Sequence, residues 1–310
     1  MKMALFRGTA HQTEGFLMGS IGVLCFSFTL PATRLADPLL GGIVVGLGRA
    51  LVAAVLALLL LVIRREPLPA RRHWLGLVVV AVGVVVGFPL FSSLALQSLP
   101  ASHGAVVTGL LPATTAVMAV VRAGERPSRL FWVSCLGGVL AVLFFAISQG
   151  AGQLQPADLL LLLAVLLGGL GYAEGGRLAR EMGGWRVICW ALVLMAPFLV
   201  LPVVFSFHLH ANPAQPAAWL GFAYVSVVSM FLGFFAWYRG LAVGGVARIG
   251  QIQLFQPVLT LLWAALLLGE HITPLTLLAS VFVIACAAAS QWTRRPRVAQ
   301  ENPSHAPSRL

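Results

Sequence analysis

The sequence predicts an all-α membrane protein of ten transmembrane helices, arranged as two inverted five-helix repeats. Three observations carry this reading. The 310 residues are 59% hydrophobic and only 9% charged, with mean hydropathy +0.95, where soluble proteins average roughly 25% charged. The apolar residues fall in runs near 20 long, the length that crosses roughly 30 Å of hydrocarbon. Finally, one block occurs twice. Gly109 to Ser128 (GLLPATTAVMAVVRAGERPS) is echoed by Leu254 to Thr273 (LFQPVLTLLWAALLLGEHIT) at an offset of 145 positions. Pro112 matches Pro257, Thr115 matches Thr260, Ala119 matches Ala264, and Gly124-Glu125 matches Gly269-Glu270. An ungapped echo between two halves of a hydrophobic chain points to a duplicated unit. So apolar a chain takes the bilayer, not a single large core, as the solvent for its outer faces.

The spans are predicted at 15–34, 40–63, 74–96, 101–121, 129–148, 157–179, 186–207, 217–239, 246–268 and 274–292. Residues 1–148 make the first repeat, 149–156 a Gly/Gln-rich linker, 157–293 the second repeat, and 294–310 a disordered cytoplasmic tail. Lys2 and Arg7 ahead of Gly15 to Pro31 imitate a secretory leader. No A-x-A site follows and a second span begins almost at once, so this stretch is the first span. Asp37-Pro38 is read as the turn between spans one and two, Arg64 to His73 as the next connection, and Ala211 to Pro216 as the one before span eight. Ser128 and Thr273 read as N-caps of spans five and ten, the latter with Pro274 in the first helical position.

The net charge of +11 does not mark a nucleic-acid binder, because the basic residues form no patch. Their placement instead gives orientation. With a cytoplasmic N-terminus, the inside receives Lys2, Arg7, Arg64, Arg65, Arg71, Arg72, Arg122, Arg126, Arg129, Arg177, Arg180, Arg186, Arg239, Arg248 and the arginines of the tail; the outside receives only Arg34. Both termini are therefore expected in the cytoplasm. Five spans per half is an odd number, so the halves run in opposite senses.

Polar groups inside the spans are the candidate chemistry. Pro112 and Pro257 sit near the middle of spans four and nine, and each frees a backbone carbonyl, that of Thr108 or Gln253. The pair marks either a cavity or two packing kinks. Gln253, Gln256, Thr260 and Trp263 step by three or four residues and share one helix face. That face should look inward, as substrate contacts or as interhelical hydrogen bonds. Thr108 and Thr115 occupy matching positions on span four. Arg49 lies well inside span two, where it either holds an anionic group or snorkels outward. Glu174, in span six, is a candidate for proton coupling or a partner for Arg177. Glu125 and Glu270 end their helices and are expected to lock loops. Ser226, Ser229, Gly233 and Trp237 form a stripe on span eight; Trp237 and Tyr238 are expected in the interfacial aromatic belt. Gly15-x3-Gly19, Gly42-x3-Gly46 and Gly171-x3-Gly175 allow close helix approach, within the chain or in a dimer.

Enzyme signals are lacking. No phosphate loop, G-x-S-x-G or H-E-x-x-H is found, and Lys2 is the single lysine. Cys25, Cys135, Cys189 and Cys286 lie inside apolar runs without C-x-x-C spacing. Neither a cofactor nor a metal is expected.

The twin blocks, each with a helix-end Gly-Glu pair, resemble the drug/metabolite transporter superfamily, specifically its EamA-like ten-helix members. Arg49 matches an arginine usual there, and the YAEGGRLAR stretch of span six is similar to one subgroup. The Trp-Gly-Ser often seen in span one is Cys25-Phe26-Ser27 here. The resemblance implies two inverted repeats around a central cavity and ATP-independent movement of small metabolites. The expected function is thus a secondary transporter of the cell inner membrane, exporting a small metabolite such as an amino acid. The expected partners are that small molecule and the lipid bilayer, with the chain a monomer or homodimer. The alternative is a non-transporting receptor or assembly protein, and after it a membrane-embedded enzyme. A reporter active only in the cytoplasm should work when fused at either end of the chain; activity at one end alone overturns the even number of spans.

Overall fold

The computed structural model describes residues 2–123, 128–150, 152–210 and 216–292. The Gly124-Glu125 pair, Arg126 and the tail 294–310 lie outside the described residues, as do the side chains of Lys2, Arg7, Arg122, Arg248, His208 and His210.

The described residues are helical and contain no strand. Nine of their helices are long and apolar enough to cross a membrane: Thr13–Leu40, Val44–Ile63, Arg71–Leu96, Ala101–Val121, Arg129–Gln149, Pro156–Met182, Gly184–Phe207, Pro216–Gly244 and Ile249–Leu268. A tenth apolar helix, Pro274–Ser290, is shorter. They are numbered here as spans one to ten, and the side on which span one begins is the N-side face. The ends are capped as the sequence suggests: Ser128 accepts from the Phe131 amide at 3.2 Å, and Thr273 from the Thr276 amide at 3.2 Å. Gln155 and Asp158 add a reciprocal cap ahead of span six.

One predicted turn is displaced. Asp37-Pro38 does not separate spans one and two but lies within the helix Thr29–Leu40. Pro38 removes one amide donor without stopping the helix. The chain turns at Gly41, whose φ of 82° is open to glycine.

The spans pair in a regular pattern: one against eight, three against six, two against seven, four against nine, and five against ten. Small residues make the closest of these approaches. A Cβ added to Gly15 would lie 2.6 Å from the Gly244 backbone, and one added to Gly240 would lie 2.7 Å from that of Gly19. The Gly42-x3-Gly46 motif faces Gln97 and the Pro89-Leu90 backbone, and Gly171-x3-Gly175 faces Val84 and the Tyr238 ring. All three small-residue motifs therefore serve packing within the chain.

The aromatic-belt expectation for Trp237 and Tyr238 fails. Both are wholly buried, Trp237 among Phe26 and Tyr172, while the Tyr238 hydroxyl donates to the Gly171 carbonyl at 3.3 Å. The glycines opposite, Gly22 facing Trp237 and Gly175 and Gly184 facing Tyr238, make the room. Proximity to a helix end does not by itself place a ring at the membrane surface.

The two membrane faces are tied differently. On the N-side face, Arg186 forms a two-pronged pair with Glu66 at 2.8 Å, Arg239 pairs with Glu14, and His73 with Glu181. On the far face the Glu270 carboxylate accepts from the Ala101 and Ser102 amides, each at 2.8 Å. It thereby caps span four from the end of span nine. Gly15→Val is expected to lower the melting temperature of the detergent-solubilised protein, an overpacking cost of about 1–3 kcal/mol, whereas Leu140→Val on the 56% exposed surface should leave it nearly unchanged.

Candidate functional site

Spans four and nine are both interrupted, and at equivalent places. Span four breaks between the helices Ala101–Thr108 and Leu111–Ala123; span nine tightens to 3-10 geometry at Gln253–Phe255. Each interruption lies just ahead of its proline, Pro112 or Pro257, which cannot donate to the carbonyl of Thr108 or Gln253. The two spans cross here: a Cβ on Gly109 would meet the Pro257 ring at 3.5 Å. Span one is interrupted as well, at Phe28 between helices ending at Ser27 and starting at Thr29.

Three π-helical stretches widen the backbone of spans two, three and eight. Val44–Gly48 immediately precedes Arg49, Ala81–Gly87 precedes Phe88-Pro89, and Tyr224–Leu232 contains Ser229. Such wide turns re-aim side chains and recur at functional sites. Between them lies a cavity of ≈ 20 Å³, room for about one water molecule. Six spans line it: one with Phe26 and Thr29, two with Arg49, three with Val84 and Pro89, six with Tyr172, eight with Ser229 and Phe234, and nine with Gln256.

Arg49 is 1% exposed and does not snorkel. Its guanidinium donates to the Pro89 carbonyl at 2.7 Å and to the Gly46 carbonyl at 3.3 Å. It makes no ion pair among the described residues, so part of its hydrogen-bonding capacity stays open to the cavity. Gln256 brings an amide whose buried Oε1 has no partner, and both amide atoms of buried Gln253 lack one too. The Thr115 hydroxyl is likewise buried and unpartnered. Thr29 and Ser229 join hydroxyls across the cavity at 2.7 Å.

The other expected residues are occupied. Thr260 donates to the Ser27 or Gln256 carbonyl, each at 2.9 Å, and the Trp263 indole donates to the Ser27 hydroxyl at 3.0 Å. Trp263 also stacks on Phe28 with ring centroids 4.2 Å apart. Both therefore hold the interruption of span one. Thr108 is buried and turns to the Ala105 carbonyl at 3.2 Å. Glu174 is buried too, but its carboxylate is paired with Arg177 at 2.7 Å on the N-side of span six, away from the cavity. Arg49 and Gln256 are thus the predicted residues that the fold brings to the cavity itself. Phe26, Thr29, Tyr172 and Ser229 join them; of these the sequence marks Ser229 in the span-eight stripe, and Phe26 and Tyr172 only as members of the stretches compared with the family, without a role. No group of three or more His, Cys, Asp and Glu residues suited to a metal exists among the described residues.

A larger opening of ≈ 250 Å³ lies at the far face, lined by Ser102, His103, Asp158 and His271. Its His103–Asp158 pair, at 2.7 Å, is buried, and Asp158 also accepts from the Gln155 amide. These groups satisfy one another, and none of the expected substrate residues lines this opening.

Comparison with known proteins agrees with this architecture. The EamA-like transporter family model matches residues 13–147 and again 155–290. The chain is 47% identical to Uncharacterized transporter YdeK of Bacillus subtilis over 280 residues, 90% of this chain and 97% of that one. It is 31% identical to an uncharacterized protein of Pseudomonas aeruginosa, PA1977, over 80% of this chain and 83% of that protein. A solved crystal structure, 17% identical, superposes with a TM-score of 0.63 over 92% of this chain and 99% of its own, a likeness in fold alone. This multi-pass membrane protein belongs to the EamA-like transporter family.

Proposed function

We propose that the chain is a secondary transporter that exports a small polar or amphipathic metabolite, such as an amino acid, across the inner membrane. The observation that carries this reading is the convergence of six spans on a mid-depth cavity that holds a buried arginine and an unpartnered amide. Interrupted helices beside a polar cavity at mid-depth are where carriers hold substrate. The halves are inverted five-helix repeats, with Pro274–Trp292 as the tenth crossing segment. The pairing of the spans supports the inversion: one on eight mirrors six on three, while two on seven, four on nine and five on ten are their own images. Both termini face the cytoplasm, and the protein works as a monomer or homodimer without ATP, cofactor or metal.

Arg49 takes an anionic group of the substrate, and Gln256 and Gln253 supply amide contacts. Thr260 and Trp263 couple span nine to the interruption of span one, so that this side of the site moves as a unit. Thr108 and Thr115 stand on the opposing span. Pro112 and Pro257 leave both crossing helices short of a backbone bond where the halves rock against each other. Glu174, the sequence-derived candidate for proton coupling, is paired with Arg177 in this form.

A comparison of intracellular and medium metabolite pools, with and without expression, identifies candidate substrates. Saturable uptake of these into proteoliposomes then tests the site. Loss of a charge-assisted contact is worth about 1.5–3 kcal/mol, so Arg49→Gln should lower transport kcat/KM about tenfold or more. Gln256→Ala should lower it several-fold at unchanged melting temperature. Unaltered kinetics in both Gln253→Ala and Gln256→Ala would remove that helix face from the site.

A further inference from the structure

The carboxylate of Asp37 has no role in the packing described so far. It lies in the last turns of span one, 1% exposed. Its Oδ1 accepts from the Ser93 hydroxyl at 2.6 Å, and its Oδ2 is buried without a partner. The charged groups that bear on it are Arg49 of span two and Arg34 of its own helix. Arg34 is engaged, donating to the Leu96 carbonyl at 2.5 Å and the Gln97 carbonyl at 3.1 Å. Arg49 is turned to the Pro89 and Gly46 carbonyls and the cavity. Span eight, which packs along this helix, offers Tyr224, whose hydroxyl is bound to the Cys25 carbonyl. The first part of span four offers His103, bound to Asp158. The facing part of span nine, Gln256–Leu268, contains no titratable side chain.

An acid and a base are thus buried on either side of one close approach: Ser93, which holds Asp37, would lie 3.3 Å from a Cβ on Gly46, whose carbonyl takes Arg49. Arg49 lines the cavity, and neither group is consumed by an ion pair within 4 Å among the described residues. Burying a lone charge in hydrocarbon is costly, so the pair must stay neutral as a whole. Two arrangements do this. In one, ionised Asp37 balances Arg49 through space. In the other, Asp37 carries a proton and an anion from solution balances Arg49.

We propose that Asp37 is the proton-binding group of this carrier, and that it exchanges Arg49 with the anionic group of the substrate. An incoming monoanion pairs with the Arg49 guanidinium, and the carboxylate left without its counter-charge takes one proton on Oδ2 from hydronium or a buffer acid, whose own bond to that proton breaks as its conjugate base stays in solution. No covalent bond other than that O–H forms, and the net charge of the site is zero before and after. Binding one carboxylate therefore takes up one proton. This rests on the transporter reading for its physiological meaning, but the proton site itself does not. Glu174, though equally buried, differs in its partner and place, since it holds Arg177 at the N-side end of span six.

The test needs no known substrate. In purified full-length protein, the infrared stretch of a protonated carboxyl, identified by its shift in D2O, should appear on lowering the pH. It should vanish in Asp37→Asn and persist in Glu174→Gln. Ser93→Ala keeps the acid but removes its hydrogen bond, and should shift the band; this variant decides the matter if Asp37→Asn does not fold. With propionate as probe in weakly buffered solution, wild type should take up about one proton per anion bound, and Asp37→Asn none. A band that survives Asp37→Asn, is lost in Glu174→Gln or ignores Ser93→Ala overturns the assignment, and so does propionate binding without proton uptake. A proton site of this behaviour in a protein that moves no metabolite would refute the transporter reading and leave the site intact; flux without the band does the reverse.

Discussion

The structure turns on a guanidinium buried in the middle of an apolar bundle. Bulk water does not reach Arg49, so the surrounding backbone must answer most of it, and a helix has few carbonyls to spare. Pro89 and Gly46 supply them. The π-helical stretches Val44–Gly48 and Ala81–Gly87 run up to these positions, loosening the backbone where a regular helix would spend its carbonyls internally. Glycine at 46 brings span two onto the Pro89-Leu90 backbone. One charge thus explains two distorted helices, one close helix approach and the position of the cavity.

Around that charge the two halves meet through paired weaknesses. The crossing of spans four and nine at Gly109 and Pro257 puts both proline-linked interruptions at one depth. The neighbouring unpartnered groups, Gln253, Gln256 and Thr115, lie within two turns of those interruptions. Buried polar atoms are seldom left unsatisfied in a folded protein, and here several gather around one crossing. Trp263, stacked on Phe28 and bound to Ser27, extends the arrangement to span one. Three interrupted helices therefore share one mechanical centre.

Much of this was legible in the sequence because the bilayer makes it so. Apolar length gave the spans, and the repeat of Pro112 as Pro257 gave the interruptions. Arg49 stood out because a charge at that depth is rare. The inward face of span nine was also readable from its spacing, but its division of labour was not. Gln256 and Thr260 lie one turn apart, and only the neighbouring span decides that one meets the cavity and the other Ser27. Thr29 carries no pattern, since isolated hydroxyls are common in membrane helices, and the likeness of the stretch that begins at Tyr172 says nothing of where its ring lies. Asp37 reads as part of a turn because Pro38 follows it; the helix instead runs on to Leu40 and the chain turns at Gly41. The burial of Trp237 escapes the sequence for a related reason. Glycines on facing helices, far apart in the chain, create the space that buries it.

The closures at the two faces are unequal in kind. The N-side face is held mainly by ion pairs whose arginines remain 42–54% exposed, and such pairs contribute only about 0–1 kcal/mol each. Water can replace their partners as they part. The far face is held by Glu270 on two backbone amides at the start of span four and by the buried pair of His103 and Asp158. Parting those groups strands backbone donors and a carboxylate before water arrives, a desolvation cost of roughly 1–3 kcal/mol for each group. The cavity has room for about one water, so the form described is contracted around Arg49. The bonds at the N-side face are therefore the weaker set, and the far face, with span four pinned to the end of span nine, the more firmly closed one.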